Sequence, residues 1–123
     1  MANPTVLIVD DDEDLHVLYS LFRQGASYRI LKAYNGKQAL EVIEADRPDV
    51  IVLDMIMPVM DGEEFLIKLR TEKQITDIPV IIASVNEKIP PRMFELGIFT
   101  TLKKPFVIQI LVEKIQQAVA QKR

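Results

Sequence analysis

The chain has 123 residues, and since one hydrophobic core usually holds about 100–200, a single domain over residues 1–123 is expected. With 49% hydrophobic and 27% charged residues there is enough apolar material for a packed core and too little charge for a disordered tail. Lys plus Arg is 15 and Asp plus Glu is 18, a net charge of −3 that argues against direct nucleic-acid binding, while the absence of Cys excludes disulfide scaffolds, thiolate zinc sites and cysteine nucleophiles.

The opening Met1-Ala2-Asn3-Pro4-Thr5 lacks the cationic stretch and long apolar core of a secretion signal. No apolar run approaches the ~20 residues that span a bilayer, so membrane insertion is not expected and the expected location is the cytoplasm. Val6-Leu7-Ile8-Val9 is continuously apolar, the mark of a parallel strand covered on both faces. Leu15, Leu18, Leu21 and Phe22 then follow helical spacing, with Gly25 as a natural C-terminal cap. Tyr28 to Ala33 is more polar, as expected of a strand near an edge. Ala39, Leu40 and Ile43 form a second helical stripe ending before Arg47-Pro48.

Val50-Ile51-Val52-Leu53 reads as a second central strand, and Phe65, Leu66 and Leu69 as a third helix following Asp61-Gly62. Val80-Ile81-Ile82-Ala83 is a further central strand. Between Ser84 and Leu96 a fourth helix is due, yet Pro90-Pro91 sits in the middle. Proline is tolerated only in a first helical turn, so this helix is expected to start late, near Pro91, and to be stunted. Phe99 to Lys103 reads as the other edge strand, and Ile108, Leu111, Val112, Ile115 and Val119 as a last amphipathic helix that closes on Gln121-Lys122-Arg123. Alternating strands and helices predict an α/β fold: a doubly wound, five-stranded parallel sheet, (βα)5, with helices on both faces and no internal repeat.

In such sheets ligands bind beyond the carboxyl ends of the strands. Those ends carry Asp10-Asp11-Asp12, Asp54, Ser84 and Lys103-Lys104. Two carboxylates ~4 Å apart repel by about 4 kcal/mol at an effective dielectric near 20, so the acids require a cation among them. Hard carboxylate oxygens suit Mg²⁺, which prefers a phosphate oxygen as a further ligand. A metal, a lysine and a hydroxyl around one carboxylate are what phosphoryl transfer to that carboxylate needs, with Asp54 as nucleophile. Asp12 or Asp14, taken alone, would cap the following helix, whereas capping one helix does not call for carboxylates on two separate strands.

Other patterns fail. Asp10, Asp12 and Asp14 alternate like a calcium loop, but Leu15 and Leu21 stand where that loop needs Gly and Glu. Four scattered glycines spell no phosphate-binding fingerprint. His16, the only histidine, has polar neighbours and is expected on the surface. Met55, Met57 and Met60 are expected to pack the loop around Pro58. An aspartate-nucleophile phosphohydrolase would want a second carboxylate two residues after the first, where Ile56 stands, so an enzyme with its own substrate is not expected.

The combination of Val6-Leu7-Ile8-Val9-Asp10-Asp11-Asp12, Asp54-Met55-Ile56-Met57-Pro58 with Asp61-Gly62, Ser84, and Lys104-Pro105-Phe106 resembles the receiver domain of two-component response regulators over nearly the whole chain. Asn35-Gly36 before Ala39-Leu40 and Gly97 before the last strand match the same pattern. The resemblance implies a flavodoxin-like fold with strand order 2-1-3-4-5. It implies Asp54 as phosphoacceptor for a group from a phosphohistidine on a sensor histidine kinase or histidine phosphotransfer protein. Asp11 would be a direct Mg²⁺ ligand, Asp10 one acting largely through water, and the Ile56 carbonyl a further ligand beside Asp54. Ser84 would bond the phosphoryl oxygen, Lys104 would pair with it, and Lys104-Pro105 would be cis. Output would pass to a downstream protein or to an effector domain missing from these residues.

Several positions depart from the pattern. Thr101 stands where the family commonly has an aromatic, so a rotamer switch there is excluded. Val85, next to the switch hydroxyl, is β-branched where a small residue is usual and is expected to crowd the phosphodonor. Ile56 is apolar where polar side chains help to position attacking water, so slow self-dephosphorylation is expected. The 13 positions from Ser84 to Gly97 are fewer than usual and carry the double proline, so the face built by the fourth helix is expected to bind a partner differently or not to form the common symmetric dimer. The competing reading is a pseudo-receiver, a protein-interaction module with phosphate-independent output. Thr101, Val85 and the damaged fourth helix favour it, and retention of the acids with Lys104 speaks against it.

Overall fold

A computed structural model describes residues 4–22, 28–85 and 88–122. The order is β1 (Thr5–Val9), α1 (Glu13–Phe22), β2 (Arg29–Ala33), α2 (Gly36–Ala45), β3 (Val50–Leu53), α3 (Gly62–Ile67), β4 (Val80–Ser84), α4 (Pro91–Leu96), β5 (Thr100–Lys103) and α5 (Ile108–Lys122). The strands form one parallel sheet in the order β2-β1-β3-β4-β5, as the resemblance implies. Every residue of β1, β3 and β4 is buried, which is why their sequences are unbroken apolar runs. The edge strands β2 and β5 carry the exposed polar positions.

Because successive side chains point to opposite faces, the apolar runs feed two cores. Leu7, Val9, Ile51, Leu53 and Ile82 meet α2, α3 and α4 through Ile43, Phe65, Leu66 and Met93. Val6, Ile8, Val50, Val52 and Ile81 meet α1 and α5 through Tyr19, Leu111 and Ile115. Met55 and Met57 are buried in the first core with Met60 packed against it, so the methionines fill space around the loop.

Helix starts follow the sequence. Asn35 caps α2 by accepting from the Gln38 N–H, and Asp61 caps α3 by accepting from the Glu64 N–H. Pro91 opens α4, which has six residues and ends at Gly97 with φ 96°. Tyr28 and Phe99, expected in the edge strands, lie just outside them, partly buried against the second core. The expected cap at Gly25 and the terminal Arg123 fall outside the described residues. After α3 the chain widens into a π-helical turn over Lys68–Glu72, which the apolar spacing does not announce. Its Arg70 is buried and donates to the carbonyls of Leu96, Ile75, Ile78 and Gly97 at 2.8–3.1 Å. Among the described residues no helix is long and apolar enough to cross a membrane.

Candidate functional site

The sheet's backbone ladder runs one residue past three strand ends, and this places the polar groups. Asp10 N–H donates to the Ala33 carbonyl at 3.0 Å, Asp54 N–H to Val9 at 2.9 Å, and Lys104 N–H to Ser84 at 2.9 Å. Asp10 and Asp54 are therefore the first residues beyond neighbouring strands β1 and β3. Their carboxylates and that of Asp11 supply oxygen atoms all within 4.8 Å of one another. Lys104 Nζ donates to Asp10 Oδ2 at 2.6 Å and stands 3.7 Å from Asp54 Oδ2. Asp10 and Asp54 are buried, and Asp11 and Asp12 are exposed. Ser84 is buried at the end of β4, one residue before Val85, which stands in the wall of the acidic cleft. The Lys104-Pro105 peptide is cis.

Burial pushes the Asp54 carboxyl above its ordinary range; Lys104 opposes this, the Asp10 charge adds to it, and the Ile56 and Met55 N–H groups donate to the carboxylate and pull it back. The cluster is thus an unevenly neutralised group of anions around a cleft of about 420 Å³. Three hard oxygen donors with one ammonium between two of them fit a small divalent cation, and the exposed Asp11 is the one not held by that lysine. Gly62 lets the loop close: a Cβ there would collide with the Asp54 carbonyl oxygen and come within 2.9 Å of the Met55 Cα. Met60 N–H donates to the Pro58 carbonyl at 2.7 Å across Val59, whose φ is 68°, so a β-branched residue occupies the centre of a tight turn in the left-handed region. Val85 in the cleft wall is exposed, as are Ile56, Val59 and Val107 on the loops that follow β3 and β5.

Asp12 is the helix cap: its carbonyl accepts from Leu15 N–H at 3.2 Å and its Oδ1 from Asp14 N–H at 2.9 Å. The expected surface position of His16 is wrong. The ring is fully buried, its Nε2–H donates to the Asp10 carbonyl at 2.7 Å, and it meets the Tyr34 ring at 4.6 Å. The polarity of its sequence neighbours does not set its side of the helix: on α1, His16 shares the inward side with Tyr19 three residues on, while apolar Val17 faces solvent. Thr101 is exposed on β5. Tyr19, which the sequence marks only as part of a helix, also reaches the acidic cleft.

A doubly wound sheet with acids and a lysine at its carboxyl rim defines a flavodoxin-like protein with a polar switch-point site. Residues 6–116 match the family described as the response regulator receiver domain. The chain is 38% identical over 120 residues to the transcriptional regulatory protein PrrA of Mycobacterium tuberculosis, covering 94% of this chain and 50% of that protein. It is 31% identical over 117 residues to sporulation initiation phosphotransferase F of Bacillus subtilis, covering 95% of this chain and 94% of that one. The solved receiver domain of the Francisella response regulator 1452 superposes with a TM-score of 0.87 at 30% identity, over 98% of this chain and all of that one. The chain belongs to the receiver domain family of two-component response regulators. It spans about half the length of the PrrA regulators that it matches.

Proposed function

We propose that residues 1–123 act as one receiver unit that accepts a phosphoryl group on Asp54 from the phosphohistidine of a sensor kinase or histidine phosphotransfer protein. The observation that carries the reading is the convergence of Asp10, Asp11 and Asp54 with the Lys104 ammonium at one rim of the sheet. Asp10, Asp11, Asp54 and the Ile56 carbonyl would hold Mg²⁺, which when bound supplies neutralising charge to the phosphoryl oxygens. An Asp54 carboxylate oxygen attacks phosphorus, forming an O–P bond as the donor's P–N bond breaks and the imidazole nitrogen keeps the electron pair. Met55 and Ile56 N–H groups hold the carboxylate in place for that attack. Lys104 leaves Asp10 for the new phosphoryl oxygen, and the Ser84 hydroxyl donates to another.

The family is a signalling family rather than a set of enzymes with external substrates, and the chemistry proposed is limited to gaining and losing this group. The exposed side chain of Ile56 carries no polar atom to orient water, which supports a long-lived aspartyl phosphate. Output then passes through contacts with a downstream protein or an effector domain in the cytoplasm, without direct contact to nucleic acid by these residues. The phosphate-independent alternative gains nothing from Val85 or the short α4, because the acids and the lysine remain assembled. Incubation with acetyl phosphate and Mg²⁺ followed by intact mass tests the proposal. One added phosphoryl group, absent from Asp54→Ala, is expected; no gain, or an equal gain in the variant, overturns it.

A further inference from the structure

Tyr19 has no part in the chemistry just described, yet it walls the same cleft as Asp10, Asp54 and Lys104. Long side chains on a helix lean toward its N-terminus, and the N-terminus of α1 adjoins Asp10, so the phenol is carried from the apolar core up to the acids. The ring packs among Val6, Ile8, Ile108 and Leu111. The residue is 4% exposed, and its buried hydroxyl has no hydrogen-bond partner among the described residues. Phenylalanine would fill the same apolar site without leaving a buried donor unpaired, which costs folding free energy. Burial and then the charges of Asp10, Asp54 and Asp12 hold the phenol well above its usual range, so it keeps its proton and can only gain by donating to an anion.

We propose that Tyr19 is a positioning residue that donates its hydrogen bond to the Asp10 carboxylate once Asp54 is phosphorylated. The inference rests on the function proposed above. In the structure Asp10 Oδ2 accepts from Lys104 Nζ at 2.6 Å, and a phosphoryl group on Asp54 draws that lysine away. Asp10 Oδ2 then loses the ammonium donor, while Oδ1 keeps the Asp12 N–H at 3.0 Å, and the Tyr19 hydroxyl takes the ammonium's place beside the cation without any bond to a proton being broken. The hydroxyl is thus unsatisfied in the resting protein and satisfied in the phosphorylated one, which favours the latter.

The test compares wild type, Tyr19→Phe and Tyr28→Phe, the last as a control whose hydroxyl pairs with Gln116 and whose ring lies in the apolar groove beside the second core. Melting temperature is read without ligand, and half-saturation by beryllofluoride, a phosphoryl stand-in, is read with Mg²⁺. Tyr19→Phe is expected to melt higher than wild type when unloaded, yet to need about tenfold more beryllofluoride, because a hydrogen bond to a charged group is lost only in the loaded state. Tyr28→Phe is expected to keep the wild-type half-saturation. An unchanged half-saturation in folded Tyr19→Phe overturns this inference and leaves the phosphoacceptor reading standing. Wild type that takes up no beryllofluoride overturns both.

Discussion

Replacing Lys104 with methionine removes the positive charge that lies between Asp10 and Asp54 while keeping most of the side-chain volume. Unit charges at the observed 2.6 and 3.7 Å attract by about 6 and 4.5 kcal/mol at an effective dielectric near 20. Desolvation of the groups and ordering of the lysine offset most of this gross attraction, and removing one partner of a nearly buried pair leaves a net loss of about 3 kcal/mol. For a chain of this size that lowers the melting temperature by about 10 °C. Thermal unfolding at neutral pH in chelator is the assay, repeated with Mg²⁺. The cation neutralises the same carboxylates, so Mg²⁺ should restore much of the loss in Lys104→Met and stabilise wild type less. Equal melting of the two proteins in chelator, or a loss that Mg²⁺ does not touch, would refute the electrostatic reading of the cluster.

Folding raises the Asp54 carboxyl's pKa, chiefly by burial, so the folded protein binds that proton more tightly than the unfolded chain and loses stability as pH rises through the shifted range. Asp54→Asn should therefore gain stability over wild type at neutral pH, with the gain vanishing below the ordinary carboxylate range; urea unfolding at both pH values checks the sign. Val59→Gly should stabilise by about 1 kcal/mol, since glycine adopts the left-handed turn without the steric cost that a β-branched residue bears there, and equilibrium denaturation measures it. Ile56→Asn should shorten the lifetime of the aspartyl phosphate several-fold by offering attacking water a polar partner, as read by the decay of the phosphorylated mass; an unaltered decay removes Ile56 as the cause of slow loss.

The layered sheet was legible because strands covered on both faces leave an unmistakable run such as Val50-Ile51-Val52-Leu53, and because Pro90-Pro91 permits only one place for α4 to begin. The site was legible for a related reason: residues that directly follow the strands of a parallel sheet share one rim, so Asp10, Asp54 and Lys104 could be grouped without knowing any distance. What stayed hidden depends on how single side chains are satisfied. His16 is buried because a backbone carbonyl at Asp10 accepts its Nε2–H, and no periodicity of apolar residues encodes that. The phenol of Tyr19 and the turn at Val59 are equally invisible, since one is a hydroxyl on an apolar stripe and the other a β-branched residue where glycine would be expected.

At the amino ends of β4 and β5, the Arg70 guanidinium fastens the π-helical turn, the approach to β4 and the end of α4 to one another through backbone oxygens. A guanidinium keeps its charge throughout the physiological range, and its acceptors cannot titrate, so this knot holds whatever happens to the acids at the far rim. With the Leu96 and Gly97 carbonyls held in this way, the C-terminal end of α4 is tied to the backbone before β4 rather than to the acids. Phe94, one turn before that anchored end, is exposed, so the short helix presents an aromatic ring to solvent from a backbone position that the guanidinium holds.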